Sequence, residues 1–263
     1  MSRIASVFAK QNHTALIPYI TVGYPSIETT LKVVPLLADN GCDIVELGIP
    51  FSDPLADGAT IQKASHQALM QGVTPAICLE VVKELRQRVE IPLVFMTYYN
   101  PVLKFGLEEF CLKCAETGID GLIIPDLPPD EGEELEQPAR KHELDLIYLL
   151  APTSNEKRID LVVNKSSGFI YLVSLTGVTG SRDKLPNDLE SFVDRVKEKT
   201  QTPLCVGFGV STPEQAQRIG KIADGVIVGS RIIQSIEDDI SLENVVFFIK
   251  RLKDALSQKE GDM

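Results

Sequence analysis

The stretch NGCDIVELG at residues 40–48 decides the fold, because its plan returns twice more. TGIDGLIIPD (117–126) and KIADGVIVGS (221–230) repeat it: a small residue close before an Asp, then an apolar run. Five other short apolar runs complete a set: LIPYITVG (16–23), IPLVFMTYY (91–99), DLIYLLAP (145–152), GFIYLVS (168–174) and TPLCVGFG (202–209). With DIVELG (43–48), GLIIPD (121–126) and DGVIVGS (224–230) there are eight. Their hydrophobicity is nearly continuous rather than alternating, as in parallel strands covered on both faces.

The segments between them read as helices. In TPAICLEVVKELRQRVE, Ile77, Val81, Leu85 and Val89 form one apolar stripe, with Thr74 as N-cap and Pro75 at the first helical position. In STPEQAQRIG, Ser211 and Glu214 read as a capping box closed by Gly220. No linker, low-complexity stretch or shift in composition interrupts the series. The chain therefore reads as one α/β domain over 1–263, a (β/α)8 TIM barrel, and its 263 residues suit that fold. An extra N-terminal helix (Arg3 to Lys10) and a short extra helix after strand eight (SRIIQSI) are expected besides. The competing architecture is an open doubly wound sheet, but no GxGxxG follows the first strand to support a dinucleotide site.

Composition narrows the function. Basic residues number 26 against 37 acidic, a net charge of −11, so the surface as a whole repels a nucleic-acid backbone. Any phosphate must be held locally, by backbone N–H groups and helix N-termini. No apolar run reaches the roughly 18–20 residues of a membrane span, and the first ten residues lack the apolar core of a signal peptide. The five cysteines (Cys42, Cys78, Cys111, Cys114 and Cys205) are odd in number and mostly fall within expected strands or helices, which predicts a reduced, cytoplasmic chain. Cys111 and Cys114 form a single CxxC in a helical context and read as packing residues. His13, His66 and His142 fall outside the strand ends and read as non-catalytic.

One carboxylate stands out. Glu46 sits inside an apolar strand, one or two residues before the loop that follows it. In a barrel the site is built at the C-terminal ends of the strands, so Glu46 is expected to face the mouth. Desolvation there would raise its pKa towards the range useful for proton transfer. The alternative is a Glu paired with Lys or Arg from a neighbouring strand, yet none of the eight runs contains either. The next segment, GIPFSDPLADG, is stiffened by Pro50 and Pro54. Asp53 and Asp57 read as turn formers or N-caps, with the alternative that Asp57 reaches back over the mouth as a second acid.

At the far end of the chain, glycine-bearing loops follow strands six to eight: TGVTG (176–180), GFGVS (207–211) and Gly229–Ser230. Barrels often hold phosphate in this region, and backbone N–H groups of Gly209, Gly229 and Ser230 could do so without lysine. The loop LTGVTGSRDKLP (175–186) is long for a strand-to-helix connection and reads as a lid.

These motifs taken together resemble a known family. VELGIPFSDPLADG with ATIQ, YLVSLTGVTG, GFGVSTPEQ and DGVIVGS is similar along the whole chain to the α subunit of tryptophan synthase. The resemblance implies a cofactor-independent carbon–carbon lyase that cleaves indole-3-glycerol phosphate to indole and glyceraldehyde 3-phosphate. It puts the catalytic acids on Glu46 and Asp57, and the phosphate site on Gly180, Gly209, Gly229 and Ser230. It puts a substrate-cavity tyrosine on Tyr171 and a lid threonine that meets Asp57 on Thr179. Tyr19 and Tyr98 are expected to line the same cavity. Tyr19 stands where a Phe is common in the family, and Thr97 where some members have Met. The family also implies a PLP-dependent β-subunit partner in an αββα tetramer, with Asp53 and Pro54 near the interface. Rival readings are another phosphate-binding barrel, a ligand-sensing subunit without turnover, and a stand-alone indole-releasing lyase.

Overall fold

The computed structural model describes residues 1–10, 13–174, 188–207, 209–239 and 241–257. Thr179 and Gly180, with the whole of the expected lid, lie outside them. Nine parallel strands form one sheet of order β5-β4-β3-β2-β1-β9-β8-β7-β6. They are β1 (Ala15–Thr21), β2 (Val45–Gly48), β3 (Leu93–Met96), β4 (Gly121–Ile123), β5 (Asp145–Ile147), β6 (Leu149–Leu150), β7 (Ile170–Val173), β8 (Leu204–Gly207) and β9 (Gly225–Val228).

The ninth strand comes from a split, not an extra unit. The fifth apolar run pairs with β4 through Asp145–Ile147 and with β7 through Leu149–Leu150, and Tyr148 lies between. The Tyr148 carbonyl accepts from Tyr171 N–H at 3.1 Å, so the chain itself closes the ring between the two ends of the sheet. The barrel is thus the eightfold one expected. The run 91–99 is shorter than its hydrophobicity suggests, because helix α5 (Tyr99–Phe105) starts where a strand was expected to continue.

Each repeated Asp header has a structural task at the N-terminal end of the barrel. Asp43 N–H donates to Leu16 O, and Leu16 N–H donates to the Asp43 carboxylate. Asp120 makes the same two-bond clasp on Leu93, and Asp224 makes it on Leu204. Each clasp fixes the start of the strand before it and gives a side-chain acceptor to a backbone N–H there. Asp120 also holds Arg86, and Arg3 Nη1 at 2.9 Å. Arg3 belongs to helix α1 (Arg3–Lys10), whose Ile4 is fully buried against the barrel floor.

Helices cover the outside. Between β2 and β3 run α2's successors, α3 (Ala59–Met70) and α4 (Pro75–Leu85); α2 (Ile27–Asp39) itself links β1 to β2. Thr74 caps α4 as expected, accepting from Ile77 N–H. The capping box of the helix over Pro213–Gly220 is one residue later than expected: Thr212 accepts from Gln215 N–H, and the Gln215 side chain reaches back. Pro213 at the first helical position sets that register, so Gly220 closes the last turn from inside. On β3, Phe95 stacks on Phe110 of the helix over Leu107–Thr117, so Val94 and Met96 face the barrel interior. All five cysteines are buried and unpaired, and burial pushes the Cys111 thiol up to about 12. That is packing chemistry.

The Asp120 clasp should govern stability without touching the mouth. Asp120→Ala strands the half-buried Arg86 and the Leu93 N–H, and is expected to cost about 3–5 kcal/mol in urea unfolding. A loss under about 1 kcal/mol would show that the clasp is incidental.

Candidate active site

Alternation along the strands brings the candidate residues together. Register places Tyr19 of β1, Glu46 of β2 and Val94 of β3 side by side. With Glu46 pointing inward, Gly48 points inward as well, one layer nearer the mouth. The ring of Tyr19 occupies the space above it: a Cβ on Gly48 would lie 2.0 Å from Tyr19 Oη. Tyr171 of β7 lies over Gly207 in the same way, at 2.2 Å. Only glycine at these two positions leaves room for the two phenols.

The result is a cavity of about 200 Å³ at the C-terminal end of the barrel. Glu46, Asp57, Tyr19, Tyr171, Met96 and Ile227 line one end. Gly209, Val210, Ser211, Gly229 and Ser230 line the other, with Gln234 and the first residues of α3 between them.

Glu46 is fully buried, and neither carboxylate oxygen has a hydrogen-bond partner among the described residues. Burial therefore pushes its pKa well above the ordinary carboxylate range. The desolvation expected at the strand end is complete. Among the described residues no Lys or Arg lines that end of the cavity, and no ion pair accounts for Glu46.

Asp57 reaches the cavity from the loop after β2. That loop is pinned to α3: Phe51 N–H donates to Ser65 Oγ at 2.9 Å, and Gln62 donates to Asp57 O at 2.8 Å. The N-cap of α3 is Gly58, which offers no side chain, so the Asp57 carboxyl is not consumed as a cap. Burial raises its pKa to about 6, against the lowering effect of a hydrogen bond from Tyr98. Asp53, by contrast, is exposed and bonded to Ser52.

Tyr98 does not line the cavity. Its ring stacks on Phe51 at 5.2 Å, and its hydroxyl accepts from Ala56 N–H at 2.9 Å. Having accepted there, the phenol has its proton free to give to Asp57. It is a support for Asp57, not a wall. Thr97 is buried and likewise does not line the cavity.

The opposite end suits an anion. The helix over Ser230–Asp238 starts at Gly229, with no capping side chain, so its first N–H groups are left to the cavity. Gly209 has φ +83, a conformation glycine adopts freely, and it lines the cavity beside them. Gln215 holds the next turn by accepting from Ser211 N–H at 2.7 Å. Arg231 borders this end, but its guanidinium lies over Phe248, 5.7 Å from the ring centroid.

Several lining residues escaped the sequence reading. Ile227 could have been found by strand alternation from Gly229, whereas Met96 follows only from the register that pairs it with Gly48. Gln234 lies four residues after Ser230, on the same helix face. The N-terminus of α3 carried no signal, since Ala59 and Thr60 look ordinary.

Comparison with known proteins now separates the possibilities. The family model described as tryptophan synthase alpha chain matches residues 6–259. The chain belongs to that family. The tryptophan synthase alpha chain of Dehalococcoides mccartyi is 60% identical over 256 residues, covering 97% of this chain and all of that one. That of Geotalea uraniireducens is 48% identical, covering 96% of this chain and 97% of its own. A solved structure of tryptophan synthase from Mycobacterium tuberculosis superposes with a TM-score of 0.92 at 37% identity, covering 98% of this chain and 99% of that one. The barrel and its full length are thus those of the family.

The Tyr98 hydroxyl should be visible in the titration of Asp57. Tyr98→Phe removes the bond that lowers the Asp57 pKa, so that pKa should rise above its value of about 6. Carboxyl-labelled NMR would follow it; an unchanged titration would mean that Tyr98 does not support the acid.

Proposed function

We propose that the chain cleaves indole-3-glycerol phosphate to indole and glyceraldehyde 3-phosphate by a retro-aldol step, as one barrel domain over 1–263. The observation that carries this reading is the convergence of two differently tuned acids, Glu46 and Asp57, on a cavity whose other end is an anion cradle. Membership of the tryptophan synthase alpha chain family supports it.

The phosphate sits against Gly209, Gly229 and Ser230, with Gly180 as a further expected contact outside the described residues. The indole ring then lies between the acids, against Tyr171 and Tyr19. Glu46, kept protonated by burial, gives its proton to indole C3. This puts positive charge on the ring nitrogen, and the ionised Asp57 beside that N–H stabilises it. Glu46, now a carboxylate, takes the proton from the hydroxyl next to the breaking bond. The C3–carbon bond breaks, its electrons return to the ring, and an aldehyde forms. One proton is given and one is recovered, so Glu46 ends as it began. No metal or organic cofactor enters these steps.

The indole passes to a PLP-dependent β subunit in an αββα assembly. Leu55, on the rigid loop beside Asp53 and Pro54, is 87% exposed, an apolar contact available to such a partner. No helix among the described residues is long and apolar enough to cross a membrane, in keeping with work in the cytoplasm.

Two measurements test the reading. Glu46→Gln should lower kcat about 10²- to 10⁴-fold with KM little changed, as for loss of a general acid–base; near-normal turnover would remove Glu46 from the mechanism. Indole release should increase when the β subunit is added. Full activity in its absence would favour a stand-alone lyase.

A further inference from the structure

Tyr19 brings to the cavity wall a hydroxyl that the fold leaves almost unused. Among the described residues its Oη meets one hydrogen-bonding partner, Thr21 Oγ1, at 3.4 Å, the long edge of a useful bond. A buried hydroxyl held so loosely costs stability that a plain phenyl ring would not. Packing alone therefore gives no reason for the oxygen.

Its position does. The ring leans on Gly229 at its Cβ end, where a Cβ on that glycine would lie 3.5 Å away. It ends over Gly48, where a Cβ would lie 2.0 Å from Oη. The hydroxyl therefore stands beyond Glu46, at the end of β2, where the chain departs toward Asp57. Both residues line the same cavity.

Among the described residues, the groups that interact with Asp57 are Tyr98 from the start of α5, Tyr19 from β1 and Tyr171 from β7, with Glu46 of β2 in the same cavity. None of these is a cation. The nearest basic lining residue, Arg231, is turned to Phe248 and lies 3.9 Å from Asp238. Among the described residues, an Asp57 anion is therefore held by dipoles.

We propose that Tyr19 is a positioning residue for Asp57: in the occupied cavity its hydroxyl turns from Thr21 and donates a hydrogen bond to the Asp57 carboxylate. Two phenols then hold the anion, Tyr98 from behind and Tyr19 from the cavity side. Among the charges around the Tyr19 phenol, Asp57 acts most strongly, which accords with this direction. The proposal rests on the reading of Asp57 as the anion beside the indole N–H.

The test is the pH dependence of indole release by the full chain with its β subunit, for wild type, Tyr19→Phe and Asp57→Asn. Tyr19→Phe deletes only a loosely held oxygen, so folding is not at risk. The acid limb of kcat should move up by about one pH unit. From an Asp57 pKa of about 6, that is about a fivefold loss at pH 6 that mostly disappears by pH 8, with KM changed less than about twofold. An acid limb unchanged from wild type, with or without a rise in KM, would overturn the proposal and leave Tyr19 as packing or a substrate contact. Asp57→Asn separates the layers. If that variant is inactive while the Tyr19→Phe limb is unmoved, the Tyr19 proposal alone fails. If Asp57→Asn keeps full turnover, the reading beneath it fails too.

Discussion

The account depends on one uncompensated burial. Glu46 stands inside the barrel with no cation, no hydrogen-bond partner among the described residues and no exposed surface. A carboxylate in such a place is costly, and the group responds by keeping its proton. Its folded-state pKa lies above its unfolded value. The folded chain therefore loses stability on its account as pH rises from the unfolded pKa toward the folded one. Asp57 acts in the same direction over a lower window, ending near its pKa of about 6. Burial thus drives Glu46 towards its protonated form, while Asp57 ionises above about 6. A reaction that must first give a proton and then stabilise a cation needs that division.

The barrel separates this cost from what offsets it. At the N-terminal end, Asp43, Asp120 and Asp224 are acids with partners: each clasps a strand and keeps its charge satisfied. At the C-terminal end, Glu46 and Asp57 are acids with no cation paired to them among the described residues. On the proposed function, the same residue types thus serve stability at one end and chemistry at the other, as barrels divide the two tasks generally. Between the ends, Gly48 and Gly207 give up side chains so that Tyr19 and Tyr171 can close round Glu46.

Much of this was legible in the sequence, because the signals were local. Continuous apolar runs gave the strands, and a charge inside one of them marked Glu46. The split of the fifth run at Tyr148 was not legible, since pairing with two different neighbours leaves no mark on hydrophobicity. The end of β3 was hidden for a related reason: Tyr98 and Tyr99 are apolar enough to extend a strand, yet they begin a helix. Tyr98 was expected on the cavity wall, but its place behind Asp57 depends on a bond to Ala56 N–H and stacking on Phe51, both set by tertiary packing. The Asp headers showed as a repeat, though their task appeared only once each was seen gripping the strand before it.

The central claim is that Glu46 carries a proton at rest, and infrared difference spectroscopy of wild type against Glu46→Gln reads this directly. The account predicts a protonated carboxyl C=O band, absent from the variant, that persists at pH 7. Its replacement by carboxylate bands already at pH 5 would contradict the account.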